Sequence, residues 1–145
     1  MKRRNLLGGA AALAAARAFA ADPKDPHAGH EHHAAGIPNA ALVSAAHECM
    51  ATGDACLRHC IDSLAAGDAS LADCAKSVEQ MRAMVGALAT VAAQNGPRLK
   101  ELSAVCAKAC RDCEAQCRKH DKHPPCKACG DACTKCAAEC DKTAA

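Results

Sequence analysis

The stretch CKACGDACTKCAAEC, from Cys126 to Cys140, decides the fold because its five cysteines are separated by steps of three and four residues. At about 100° per residue of an α-helix, these positions fall within an arc of roughly 80°. The stretch therefore predicts a helix with one face lined by thiols. A strand is not favoured, since alternating β-branched residues are missing and alanine dominates the chain.

The other cysteines show the same helical spacing. They are Cys49, Cys56 and Cys60, then Cys74 alone, then Cys106, Cys110, Cys113 and Cys117. The two longer sets span roughly 40° and 60° of a helix. Cys74 shares its face with apolar residues at helical spacing, namely Val78, Met81, Val85 and Leu88. All thirteen cysteines are therefore predicted to face one interior.

Turn and capping residues divide the chain into helices over residues 39–66, 69–94, 97–119 and 125–142. Asn39 is predicted to cap the first, Ser70 with Asp73 resembles a capping box for the second, and Pro97 suits the first turn of the third. Gly53 indicates a kink or a close approach of a neighbour. Short connections between four helices predict an all-α, antiparallel up-down four-helix bundle with a cysteine-lined core. The remaining core is predicted to include Leu42, Ile61, Leu64, Leu71, Val78, Val85, Leu88, Leu99 and Leu102.

The N-terminal segment has the layout of an export signal. Residues 1–21 combine Arg3-Arg4, an apolar alanine-leucine run and the small-residue site Ala18-Phe19-Ala20, and they resemble a twin-arginine signal peptide. We expect cleavage rather than a membrane anchor, because the apolar run is short and Arg17 interrupts it. This predicts a periplasmic protein, or one in the lumen of internal membranes of a bacterium, with no membrane contact after cleavage.

The predicted domains are the signal at residues 1–21, a flexible His-rich leader at 22–38 and the bundle at 39–145. Without residues 1–20, Lys plus Arg falls from 18 to 14 against 16 Asp plus Glu, so the net charge falls from +2 to about −2. This charge, with no Trp or Tyr for base stacking, argues against a nucleic-acid partner.

Three interpretations of the thiols compete. Buried cysteine can act as a small hydrophobe, but this accounts for one or two positions rather than thirteen. Disulfides suit an exported chain, yet the number is odd and bridges between successive turns of one helix constrain little. Metal binding remains, and soft thiolate sites favour Cu(I), zinc and iron–sulfur clusters.

Geometry and charge favour Cu(I) among these metals. Cysteines at i and i+3 or i+4 have Cβ atoms about 5 to 6 Å apart, so two sulfurs can bind one ion of low coordination number. Zinc needs four ligands in a tetrahedron. One Cu(I) per thiolate would also leave the filled core neutral. We therefore predict multiple Cu(I) ions, of the order of one per cysteine.

These motifs resemble those of the copper storage proteins. The resemblance rests on CLRHC at Cys56 to Cys60, the lone Cys74, the CxxxCxxCxxxC run from Cys106 to Cys117, and the stretch from Cys126 to Cys140. It implies a four-helix bundle that stores Cu(I), and a homo-oligomer that is a tetramer of bundles. The leader is similar to that of the exported branch, which implies supply of copper to exported copper enzymes, in methane oxidation among others.

One departure from the exported members concerns methionine. Those members carry Met ligands near the open end of the bundle, whereas the corresponding stretch here, IDSLAAGDASLADC, has none. Copper loading through methionines at that end is therefore not expected in this chain.

Histidines mark a predicted copper entrance. The first-second and third-fourth connections lie at one end of an antiparallel bundle, where Cys60, Cys74, Cys117 and Cys126 should meet. His59 is a candidate outer ligand there, with a partly exposed surface histidine as the alternative, and His120 and His123 are interpreted as solvated loop residues. Met81 is interpreted as packing, with a ligand role as the lesser alternative. The leader histidines, His27, His30, His32 and His33, are candidates for Cu(II) or zinc.

The sequence contains no phosphate loop, nucleophile arrangement or distinctive carboxylate pair, so we predict a binding protein rather than an enzyme. The favoured function is storage of Cu(I), with a copper-requiring enzyme or a copper chelator as recipient. An iron–sulfur redox carrier is the first alternative, although the C-x2-C-x2-C-x3-C-P pattern is absent. A zinc-structured interaction module is the second, and it predicts unfolding when the metal is removed.

Overall fold

Four α-helices make up the part of the chain that the computed structural model describes, residues 36–145. They are α1 (Ala40–Ala65), α2 (Ala72–Ala93), α3 (Leu99–Arg118) and α4 (Pro124–Ala144), and a single 3-10 turn (Ala69–Leu71) leads into α2. Each helix packs on two neighbours, in the order α1, α2, α3, α4 around the bundle. The predicted all-α antiparallel bundle is confirmed. The predicted signal peptide and residues 22–35 of the predicted leader lie outside the described residues.

The connections between helices form where the sequence predicts them. Gly67 follows α1 with a φ of 91°, and its N–H donates to the Leu64 carbonyl while the Asp68 N–H donates to that of Ser63. This pattern satisfies the last carbonyls of the helix, and the positive φ explains the glycine. Asn95, with a φ of 48°, ends α2 in the same way.

Helix starts differ from the predictions in detail. Asn39 precedes α1 but does not cap it, because its backbone is left-handed (φ 53°) and its side-chain NH2 instead donates to the Ala92 carbonyl at 3.0 Å. Ser70 does not form a capping box either; its N–H donates to the Asp68 carboxylate at 3.0 Å. Pro97 lies in the turn just before α3 rather than within its first turn.

The core divides into an aliphatic part and a thiol part. The aliphatic part lies toward the end where Asn39 meets Ala92, and consists of Leu42, Val43, Val85, Leu88, Ala92 and Leu99. Cysteines fill most of the rest. Of the predicted aliphatic core, Leu64 and Leu102 are only half-buried, and Ile61 was predicted wrongly, since it is 54% exposed. Ile61 lies one residue, about 100°, beyond the inward-facing Cys60.

Gly53 allows α1 and α2 to approach closely. A Cβ at this position would lie 3.0 Å from Cγ of Arg82 and 3.1 Å from Cε of Met81. The close approach, one of the two predicted roles of this glycine, is therefore present. No helix within residues 36–145 is both long enough and apolar enough to cross a membrane.

Candidate metal centre

The thirteen cysteines have side chains with no solvent exposure, and none of them forms a disulfide. Helical periodicity accounts for this arrangement, because each set of cysteines lies on the one face of its helix that packs against the other helices. Sulfur–sulfur contacts link the cysteines of neighbouring helices all the way around the bundle. The sequence-predicted thiols are thus brought together in one interior.

The first group of thiols lies near the end that contains the α1–α2 and α3–α4 connections. The Cys56 sulfur is 3.9 Å from that of Cys74 and 3.7 Å from that of Cys126, and the sulfurs of Cys74 and Cys117 are 3.8 Å apart. Cys60 completes a set of four with Cys56, Cys74 and Cys126, whose sulfurs all lie within 4.8 Å of one another. Each helix except α3 contributes to this set of four.

Further groups with mutual sulfur separations within 4.8 Å continue along the axis. They are Cys56, Cys117 and Cys129; Cys113, Cys129 and Cys133; and Cys49, Cys110 and Cys136. Cys56 and Cys129 each belong to two groups, so neighbouring groups share sulfurs. Thiolate sulfur can bridge two metal ions, and the arrangement can therefore hold a connected series of ions rather than isolated sites.

Cys106 and Cys140 lie outside these groups, toward the aliphatic part of the core. The Cys106 thiol donates to the Met84 carbonyl at 3.4 Å. Burial raises the pKa of Cys106 to about 12. For Cys140, the hydrogen bond with Cys136 followed by burial raises the pKa well above its ordinary value. Both thiols are protonated at neutral pH without a metal.

Burial also raises thiol pKa values near the end of the bundle that contains the α1–α2 and α3–α4 connections. Burial raises the pKa of Cys60 and of Cys126, and the thiolate of Cys56 next to each of them adds to the effect. Hydrogen bonds from surrounding thiols, that of Cys117 first, lower the pKa of Cys56. A soft metal ion must therefore displace protons from most of these sulfurs when it binds.

Within residues 36–145, no buried cation balances the charge of thiolates. Ser103 is the one buried polar or charged side chain, cysteines aside, among residues 36–145. Lys and Arg side chains instead form ion pairs on the surface, such as Lys135 with Glu48 and Arg118 with Asp131. Because an uncompensated buried charge is very costly, most of these thiols lose their protons only as metal ions enter.

Histidines cluster at the same end as Cys60 and Cys126. The ring of His59 lies 4.8 Å from that of His123, and the rings of His120 and His123 are 6.4 Å apart. His59 is half-buried, and its Nε2 atom is buried without a hydrogen-bond partner in the described structure. The predicted outer ligand His59 therefore has an unpartnered nitrogen, and this histidine directly precedes Cys60 in the sequence. The structure also brings His123, predicted as a solvated loop residue, against His59.

Met81 lies among the buried thiols. Its side chain is fully buried, and its sulfur lies 3.3 Å from that of Cys49. Its position on the helix face of Cys74 predicted this burial.

Comparisons with known proteins agree with this geometry. A family model described as copper storage protein matches residues 37–145. The structure of apo copper storage protein 3 from Bacillus subtilis is similar, with 29% identity over 74% of this chain and 99% of that chain and a TM-score of 0.66. A structure described as Cu(I)-bound copper storage protein BsCsp3 has 28% identity over 74% of this chain and 98% of that chain, with a TM-score of 0.67. No curated protein matches the sequence. The family model spans most of the chain, and this chain belongs to the copper storage protein family.

Proposed function

We propose that this protein stores Cu(I) in its thiol-lined core at high capacity. The observation that carries the proposal is the set of thirteen fully buried, unbridged thiols, eleven of which fall into groups of sulfurs within 4.8 Å of one another. A binding protein, rather than an enzyme, is what such an interior provides. The Cu(I)-bound state of the similar BsCsp3 structure supports the choice of metal.

Charge balance supports a stoichiometry near one Cu(I) per cysteine. Each thiol that loses its proton to bind Cu(I) exchanges one positive charge for another, so loading adds no net charge at these thiols. A Zn²⁺ tetrathiolate would retain a charge of −2 for every ion, and no buried Lys or Arg lies within residues 36–145 to offset it. All thirteen cysteines are assigned as ligands.

Anaerobic titration of the reduced protein with Cu(I), in competition with a Cu(I) chelator, tests this proposal. We expect the protein to withhold copper from the chelator until about one ion per cysteine has been added. Saturation at one or two ions would contradict storage and indicate a single-site carrier. Zinc added to a second sample provides the control, since it should saturate at far fewer ions.

The histidine cluster is proposed as the copper entrance. The unpartnered Nε2 atom of His59 is available as an outer ligand, and His123 and His120 extend the cluster toward the surface. Neutral imidazole binds copper without adding charge. Copper would bind first at His59 and then transfer to the set of four thiols that contains Cys60.

Two other proposals concern the protein in the cell. A twin-arginine-type signal at residues 1–21 would export it to the periplasm or an internal membrane lumen, where it would supply an exported copper enzyme, in methane oxidation among others, or a chelator. A homotetramer is proposed from the family resemblance. Fractionation of cells that express the full chain, and light scattering of the purified protein, test these two points.

The zinc alternative has one favourable observation. The sulfurs of Cys56, Cys60, Cys74 and Cys126 lie close enough for a tetrahedral site. That set accounts for four of the thirteen cysteines and leaves the groups deeper in the bundle without a role.

The colour of the purified protein distinguishes an iron–sulfur carrier from a Cu(I) storage protein. A brown protein with a visible charge-transfer band would favour iron–sulfur, and a colourless Cu(I) protein would favour storage.

A further inference from the structure

Sulfur atoms from three helices meet at two levels of the bundle. At the first level, Cys56 of α1 lies between Cys74 of α2 and Cys126 of α4, at sulfur separations of 3.9 Å and 3.7 Å. All three side chains are fully buried. Cys74 also lies 3.8 Å from Cys117 of α3, so every helix supplies one sulfur at this level.

The second level repeats this arrangement seven residues along each helix. Cys49 of α1 lies between Met81 of α2 and Cys133 of α4, at sulfur separations of 3.3 Å and 3.6 Å. Seven residues are two helical turns, which preserve the face of a helix. Met81 therefore occupies, relative to Cys49, the α2 position that Cys74 occupies relative to Cys56.

Helix α2 is otherwise poor in sulfur. Between and beyond Cys74 and Met81, its buried face carries Val78, Val85 and Leu88. Without Met81, α2 would offer no ligand to ions at the second level, where the sulfurs of Cys49, Cys110 and Cys136 lie within 4.8 Å of one another. The thioether supplies the missing sulfur on that side.

We propose that the thioether of Met81 is a Cu(I) ligand, paired with the thiolate of Cys49, which rests on the proposed storage function. The Cys49 S–H donates a hydrogen bond to the Met81 sulfur in the metal-free structure. When Cu(I) binds, the proton of Cys49 leaves to solvent and the ion takes its place between the two sulfurs. Thiolate and thioether are both soft ligands that select Cu(I).

The neutral charge of a thioether fits this place in the core. Met81 adds coordination to an ion whose charge the Cys49 thiolate already balances, so the neutrality of the filled core is kept. The three rotatable bonds of methionine also let the sulfur move to the distance that a metal requires. Its Cε packs directly against Gly53, where a Cβ would stand 3.1 Å away.

Selenium X-ray absorption of the copper-loaded, full-length protein labelled with selenomethionine tests the assignment. The chain has four methionines, so one Cu(I)-bound methionine gives an average of about one quarter of a copper neighbour per selenium. Met81→Leu, a swap that conserves volume, should abolish the copper neighbour. Met84→Leu is the matched control, because Met84 lies on the same helix but is 38% exposed, and it should retain the copper neighbour.

The possible outcomes separate this proposal from the storage function. A copper neighbour that is present in the parent protein and in Met84→Leu but absent in Met81→Leu supports the assignment. If the protein loads many Cu(I) ions but selenium has no copper neighbour, the Met81 assignment is overturned and the storage function stands. The same conclusion follows if the copper neighbour persists in Met81→Leu. Failure of the parent protein to take up Cu(I) would overturn the proposed function itself.

Discussion

Replacement of Leu88 by alanine should destabilise the metal-free bundle while leaving its copper capacity unchanged. Leu88 is fully buried in the aliphatic part of the core, and its helix is tied there to Asn39 through the Ala92 carbonyl. Truncation of a buried leucine to alanine costs about 2 to 5 kcal/mol, depending on how far the site can collapse. At a fully enclosed site we expect about 3 kcal/mol, a large part of the 5 to 15 kcal/mol typical of a domain.

The matched variant is Cys133→Ala in the thiol part. Cys133 is also fully buried, but the change removes a single sulfur atom and should cost only about 1 kcal/mol, in the range of one deleted methyl group. It should lower the copper capacity by at least one ion, since Cys133 belongs to the group with Cys113 and Cys129.

Urea unfolding of the reduced, metal-free variants, followed by far-ultraviolet circular dichroism, measures the first effect, and Cu(I) titration measures the second. Leu88→Ala should be the less stable variant, and Cys133→Ala should be the variant with the lower copper capacity. A Leu88→Ala variant as stable as the parent protein, or a Cys133→Ala variant that lost more stability than Leu88→Ala, would contradict this expectation. Either result would mean that thiols, rather than aliphatic side chains, hold the metal-free fold together.

Three further predictions concern pH, the entrance and metal removal. Because burial raises the pKa of Cys106 from 9.0 to about 12, the stability that its protonated form contributes is complete below pH 9 and is lost as the pH rises toward 12. The melting temperature of the metal-free protein should fall across that range, and that of the copper-loaded protein, whose thiol protons are already gone, should not. His59→Gln should slow Cu(I) uptake in stopped-flow experiments and lower the copper capacity by one ion at most. His47→Gln, at an exposed position of the same helix, should load at the parent rate. Equal uptake rates in the His59→Gln variant and the parent protein would argue against the entrance. Removal of metal by chelators should leave the circular dichroism spectrum helical, and unfolding would favour a zinc-structured module.

The buried faces of α1, α3 and α4 were predictable from cysteine spacing, and that of α2 from the apolar residues that share the face of Cys74. Steps of three and four residues from Cys126 to Cys140 fix both the helix and the side that faces inward, and Gly67 and Asn95 mark turns through the positive φ they adopt. The same rule shows why Ile61 was predicted wrongly. It follows Cys60 directly, and a neighbouring residue on a helix faces about 100° away.

Contacts between helices were less predictable, since helical spacing gives the face of a residue but not its level along a neighbouring helix. The pairing of Cys49 with Met81 depends on the register of α1 against α2, and the turn at Gly67 together with the close approach at Gly53 contributes to that register. Capping depends equally on local backbone geometry. The left-handed backbone of Asn39 turns its side chain toward Ala92 instead of the start of α1.

Anomalous diffraction at the copper edge, from crystals of the Cu(I)-loaded protein, tests the central claim most directly. We expect a series of copper peaks along the bundle axis, from the level of Cys60 and Cys126 to that of Cys106 and Cys140, within helices that keep their metal-free arrangement. Peaks should be absent between Leu42, Leu88 and Leu99. Copper confined to the single set of Cys56, Cys60, Cys74 and Cys126 would contradict storage in the core.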